Sequence, residues 1–199
     1  MKKIFIITAF ILFLSSNNNS YSNKVQIIAK VNNDIITNVD LFKEYQLFKI
    51  FSQKDIELNN QSSKSLLKSL INHQIKKSEL NKYNININKK LINDRIKLIL
   101  ESKNSNISTL KDMGLYDFFF ERVEIEMKWI ELIKKMFKSK VNINTQEVEN
   151  KIEDKNSKDL SEKDFNNLVI IEKNKKMSVY NQTYFNEIKL NYLVNVTKR

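Results

Sequence analysis

The sequence predicts a mostly α-helical domain that carries a small N-terminal β-hairpin joined by a C-terminal strand. Three observations carry that class. Among 199 residues there is no proline and a single glycine, so the usual helix breakers are missing and turns fall to Asn, Asp and Ser. Apolar residues recur at helical spacing through most of the chain, as in Leu66, Leu70, Ile71 and Ile75. Only near the beginning does a period of two appear, where Val25, Ile27, Ala29 and Val31 alternate with Gln26, Ile28 and Lys30.

Taken in order, Met1, Lys2 and Lys3 form a positive start to an apolar run from Ile4 to Leu14. That run has signal-peptide length and is too short to cross a bilayer. Residues 1–22 are therefore expected to be a signal peptide cut between Ser22 and Asn23, with retention as an inner-membrane anchor facing the periplasm as the alternative. Taking those 22 from 199 leaves 177 residues, enough for one helical domain with a core. Asn32, Asn33 and Asp34 turn the hairpin, Ile35 and Ile36 form its return strand, and Thr37 with Asp40 reads as a capping box opening a helix at Asn38.

The helix from Asn38 to Phe51 should bury Leu41, Tyr45 and Phe48, widened by Phe42, Leu47 and Phe51. A loop at 52–63 precedes the helix of Leu66, Leu67, Leu70, Ile71 and Ile75, which runs to about Tyr83. After a turn at 84–88, Leu91, Ile92, Ile96, Ile99 and Leu100 mark the buried face of the next helix. Ser108 opens a short helix, and Gly114 stands where a helix ends in the left-handed region. The longest helix should run from Tyr116 to about Lys138 with two apolar stripes. One is Tyr116, Phe120, Val123, Met127, Ile130 and Phe137; the other is Phe118, Ile125, Trp129, Leu132 and Met136. Two stripes require two partners, which makes this helix central. Asn144 and Glu147 cap a short helix, residues 150–160 read as a linker, and Phe165 to Ile188 supports one long helix or two abutting ones. Leu193, Val194 and Val196 then read as a strand able to pair with the hairpin.

Chemistry-bearing residues are few. With no cysteine there is no disulfide, thiolate metal site or lipid-modified thiol. His73 is the only histidine, read as a surface or half-buried helix residue. Glu121, Glu124 and Glu126 do not share one helix face and have cations beside them, so they read as solvated. No cofactor, metal or catalytic group is expected. The net charge of +11, or +9 without Lys2 and Lys3, is spread along the chain among interspersed acids, a mixed surface and not a phosphate-binding stripe.

Several phrases resemble the core of the SurA-type periplasmic chaperones. These are IAKVNNDIIT at Ile28 to Thr37, LLKSLINHQI at Leu66 to Ile75, YDFFFERVEIEMKWI at Tyr116 to Ile130, INTQEV at Ile143 to Val148, and YFNEIKLNYLVNV at Tyr184 to Val196. The resemblance implies a chaperone core over residues 23–149, completed by the helix and strand of 161–199. In that family one or two prolyl isomerase domains usually stand where this chain has only the linker at 150–160, so no isomerase is implied. What remains implied is an ATP-independent periplasmic holdase that binds unfolded polypeptides, outer-membrane protein precursors among them, and no nucleic acid. Phe118, Phe119, Trp129 and Met136 are the candidate client contacts, with burial in the core as the competing reading. An adaptor holding one fixed envelope partner is the alternative function, and a basic nucleic-acid binder a further one.

Overall fold

The computed structural model describes residues 24–52, 57–141 and 162–197. The signal segment, the helix expected around Asn144 and the linker at 150–160 lie outside the described residues. Among the described residues three strands and six α-helices follow in order: β1 (Ile27–Val31), β2 (Asp34–Thr37), α1 (Asn38–Ser52), α2 (Asn60–Leu80), α3 (Lys89–Glu101), α4 (Ile107–Asp112), α5 (Tyr116–Phe137), α6 (Glu162–Lys189) and β3 (Val194–Val196). The expected architecture, a helical core with an N-terminal hairpin joined by a C-terminal strand, is what forms.

The sheet has the order β2-β1-β3 and is antiparallel throughout. Its first strand departs from the simple alternation. Ile27 pairs with Thr37 and Ala29 with Ile36, which leaves Ile28 as an extra residue, a bulge. The bulge reverses the pleat, so Ile28, Ala29 and Val31 are buried while Val25 and Ile27 are exposed. Asn32 takes a φ of 52°, a left-handed value that asparagine tolerates. Its backbone N–H donates to the Leu193 carbonyl at 2.8 Å, and its side-chain oxygen accepts from the Leu193 N–H at 2.9 Å. The hairpin turn thus grips the entry to β3.

The capping box forms: the Thr37 N–H donates to Asp40 Oδ2 at 2.8 Å and the Asp40 N–H donates to Thr37 Oγ1 at 3.3 Å. Asn59, Asn88 and Asn106 cap α2, α3 and α4 through their side-chain oxygens, which is how a chain without proline starts its helices. Gly114 ends the run before α5 at φ 65°.

Two cores share α5. From Ile125 onward it contributes Ile125, Trp129, Leu132 and Ile133 to a core with the sheet, α2 and the end of α6. Phe119 and Val123 join Leu47, Ile92, Ile96, Leu100, Leu110 and Leu115 in the other. The expectation of two partners holds, with different members: Phe119 and Ile133 are buried, whereas Ile130 is 49% exposed. Phe42, Phe48 and Leu91, expected inside, are exposed as well, because α1 and α3 each bury one narrow stripe. The C-terminal segment forms one continuous helix, and Val179 on it faces out.

Glu79, only 4% exposed near the end of α2, ties that segment down. Its carboxylate accepts from Tyr184 Oη at 3.1 Å, Tyr192 Oη at 2.8 Å and Lys82 Nζ at 2.7 Å. Burial pushes this carboxyl up, but the bonds from Lys82, Tyr192 and Tyr184 outweigh it and hold the group below its usual range. The same arrangement raises the Tyr184 phenol, through burial first and then its bonds to Tyr83 and Glu79.

Candidate functional site

The four candidate contact residues on α5 have separate fates. Trp129 is wholly enclosed: its ring stacks on Tyr184 at 5.7 Å, meets Phe185 edge-on at 5.9 Å, and its Nε1 donates to Asn181 Oδ1 at 2.7 Å. Phe119 is buried and lies 5.0 Å from Phe51, in the second core. Both have their faces taken by the protein itself, because a helix that serves two cores turns its largest side chains inward. Phe118 is half-buried, with Lys43 and Arg122 lying 5.8 and 6.0 Å from its ring centroid. Met136 alone of the four is exposed, at 37%.

Met136 opens onto an apolar groove of about 340 Å³. Leu132, Lys135 and Met136 form one wall from successive turns of α5, while Tyr83, Asn84 and Ile85 form the other from the α2–α3 connection. The helical repeat places Leu132 and Met136 one above the other, so a methionine at this position continues an inner leucine out to the surface. Tyr83 is held in place by a 3.0 Å hydrogen bond between its hydroxyl and that of Tyr184. The C-terminal helix therefore buttresses the groove. Methionine, with three rotatable bonds and a polarizable sulfur, suits a surface that must accept varied side chains.

A second, polar recess of about 200 Å³ lies where α2 and α5 meet the hairpin, lined among others by Ile36, His73, Lys77, Phe118 and Arg122. Its cations are committed. Arg122 Nη2 pairs with Glu44 Oε1 at 3.1 Å and donates to Ser69 Oγ at 3.0 Å, while Ser69 Oγ donates to Glu44 Oε1 at 2.9 Å. Lys77 pairs with Glu121, and Lys76 with Glu126 at 2.7 Å. Glu121 and Glu126 are thus ion-pair partners, as is Glu124 with Lys128 at 2.8 Å. Among the described residues no group of three His, Cys, Asp or Glu side chains is arranged to hold a metal, and no helix is long and apolar enough to cross a membrane.

His73 is more enclosed than a surface residue. Burial, reinforced by the charges of Arg122, Lys77 and Lys76, pushes its imidazole down to about 3 from 6.5. Between those values the unfolded chain binds a proton that the folded one refuses, so the protein loses stability as pH falls below 6.5, by up to about 1.4 kcal/mol per pH unit. Urea unfolding between about pH 6.5 and about pH 5, above the range in which Glu79 titrates, should show that slope. His73→Gln should flatten it. An equal slope in the variant would mean that solvent reaches the imidazole in the folded state.

No family model matches the chain, and none of the curated proteins matches it. Among solved structures it is similar to one reported with the virulence factor PEB4 and the periplasmic protein Cj1289, two structurally related SurA-like chaperones of Campylobacter jejuni. The identity is 14% and the TM-score 0.45, over 87% of this chain and 99% of that one. That is a coarse likeness, and the functional reading rests on the chain's own residues.

Proposed function

We propose that the chain is an ATP-independent chaperone of the periplasm, a holdase that binds unfolded outer-membrane protein precursors and has no isomerase activity. The open apolar groove beside Met136 carries this reading, supported by the SurA-like phrases of the sequence. A recess of this size takes one or two side chains of an extended segment. Each buried apolar side chain contributes roughly 1.5–3 kcal/mol before ordering costs, so the grip is weak and reversible. Weak, fast exchange is what a holdase requires, since a client held tightly could not be handed on. Client contact centres on Met136, with the exposed part of Phe118 as a further contact, and Trp129 and Phe119 act by holding α5 in place.

The test is suppression of aggregation of an urea-unfolded outer-membrane protein on dilution, followed by light scattering. Severalfold excess of the purified chain should suppress it, and Met136→Asp, an exposed change that spares the cores, should weaken that effect. Unaltered aggregation at severalfold excess would overturn the proposal.

A further inference from the structure

Charge along α5 is balanced except at one end. In its first four turns every ionic side chain but Asp117 is matched, Arg122 with Glu44, Lys128 with Glu124, Glu121 with Lys77 and Glu126 with Lys76. In the last turn and the short 3-10 helix that follows (Lys138–Lys140), the sequence places Lys134, Lys135, Lys138 and Lys140 within seven residues. None of the four has an ion pair among the described residues, and all are exposed. Glu131, one turn earlier, is the nearest acid in the stretch. A helix C-terminus favours cations within its last turn, which accounts for Lys134 and Lys135 but not for the pair beyond it. Lys135 lines the apolar groove itself, no acid does, and Lys140 leans over the Phe137 ring at 5.6 Å.

We propose that this groove selects extended polypeptide segments in which an apolar side chain is flanked by acidic residues: the apolar group enters between Ile85, Leu132 and Met136, and the carboxylates meet the lysine cluster. The inference rests on the chain being a polypeptide binder and names the kind of segment it takes. Charge complementarity argues for it. An unpaired cluster beside an apolar recess attracts the segment that satisfies both, whereas a lysine-flanked segment meets like charge. Ile85, Leu132 and Met136 are aliphatic and Tyr83 is the one aromatic side chain of the lining, so the recess offers a nucleobase a single stacking face.

Three fluorescein-labelled peptides with one shared apolar centre, flanked by Glu, Ser or Lys, would be titrated with the full chain and followed by anisotropy. At about 50 mM NaCl the Glu-flanked peptide should bind roughly tenfold more tightly than the Lys-flanked one, and the gap should close at about 500 mM, where charges are screened within a few ångströms. The double substitution Lys135→Glu and Lys138→Glu should reverse the order, with the Ser-flanked peptide remaining between the other two. Equal binding of all three, or an order that survives the double substitution, overturns the charge preference but leaves the holdase reading standing. Binding of none overturns both. Tight displacement of the Glu-flanked peptide by a single-stranded oligonucleotide would assign the lysines to nucleic acid and overturn the proposal.

Discussion

Replacing Trp129 with alanine should lower the unfolding free energy by about 3–5 kcal/mol, a large part of the roughly 5–15 kcal/mol that a domain commands. The indole is fully buried, and α2 and α6 both reach it: Lys76 sits 5.7 Å from its ring, Tyr184 and Phe185 pack on it, and Asn181 accepts its N–H. Its loss opens a cavity, orphans the Asn181 amide and removes the packing face of the C-terminal helix together. Trp129→Phe keeps most of the volume and should cost about 1–3 kcal/mol, mainly through the unpaired Asn181. Urea unfolding of both variants gives the comparison, and a loss below about 1 kcal/mol for the alanine variant would mean that the ring is not a packing centre. Because Trp129 is the only tryptophan, the wild-type protein supplies an independent check. Its emission should be blue-shifted and protected from iodide; ready quenching would return Trp129 to the client-binding surface.

The second large effect is expected at the ion pair between α1 and α5. Glu44 is 7% exposed and held by Arg122 and Ser69, so Arg122→Ala leaves a buried carboxylate without its cation, at a cost of about 3–5 kcal/mol. Removing both charges tells a different story. The double variant Glu44→Leu with Arg122→Met should recover most of that loss, because burying two charges is itself expensive and Glu44 Oε2 and Arg122 Nη1 find no partner within the described residues. A double-mutant cycle read by urea unfolding decides it. If the double variant is as unstable as Arg122→Ala alone, the pair stabilises the fold beyond its desolvation cost.

Much of the fold was legible because its signals are local. The Thr37–Asp40 capping box, Gly114, the bounds of α1 and α5 and the presence of a C-terminal strand all follow from neighbours in sequence or from simple periods. Ile28 was not legible: a bulge depends on how β1 matches β2, and one extra residue reverses every inside-outside assignment before it. Nor could three consecutive phenylalanines announce which one points inward, since 118–120 sweep over half the helix circumference, and contact with Phe51 on α1 selected Phe119. The candidate site was legible in part. The sequence offers Met136 as a candidate contact, and it lines the groove. Its opposite wall, Tyr83 to Ile85, is a turn whose sequence carries no apolar period, and only the packing of α2 against α5 brings it near. Glu44 and Arg122 escaped for the same reason, as residues on different helices whose pairing no spacing encodes.

The clasp between Asn32 and Leu193 spans 161 residues, and it fixes an order of events for a chain made from its N-terminus onward. The helices α1 to α5 can pair earlier, since their contacts span less sequence, 50 residues for Lys76–Glu126 and 53 for Ser69–Arg122, and contacts that close shorter loops form faster. The sheet cannot: its middle strand β1 exists early but waits for its second neighbour until Val194–Val196 has been made. Until then one edge of β1 and the Trp129 face of α5 stand uncovered. The nascent protein thus passes through an interval in which it shows the bare strand edge and apolar surface that make unfinished chains stick to one another.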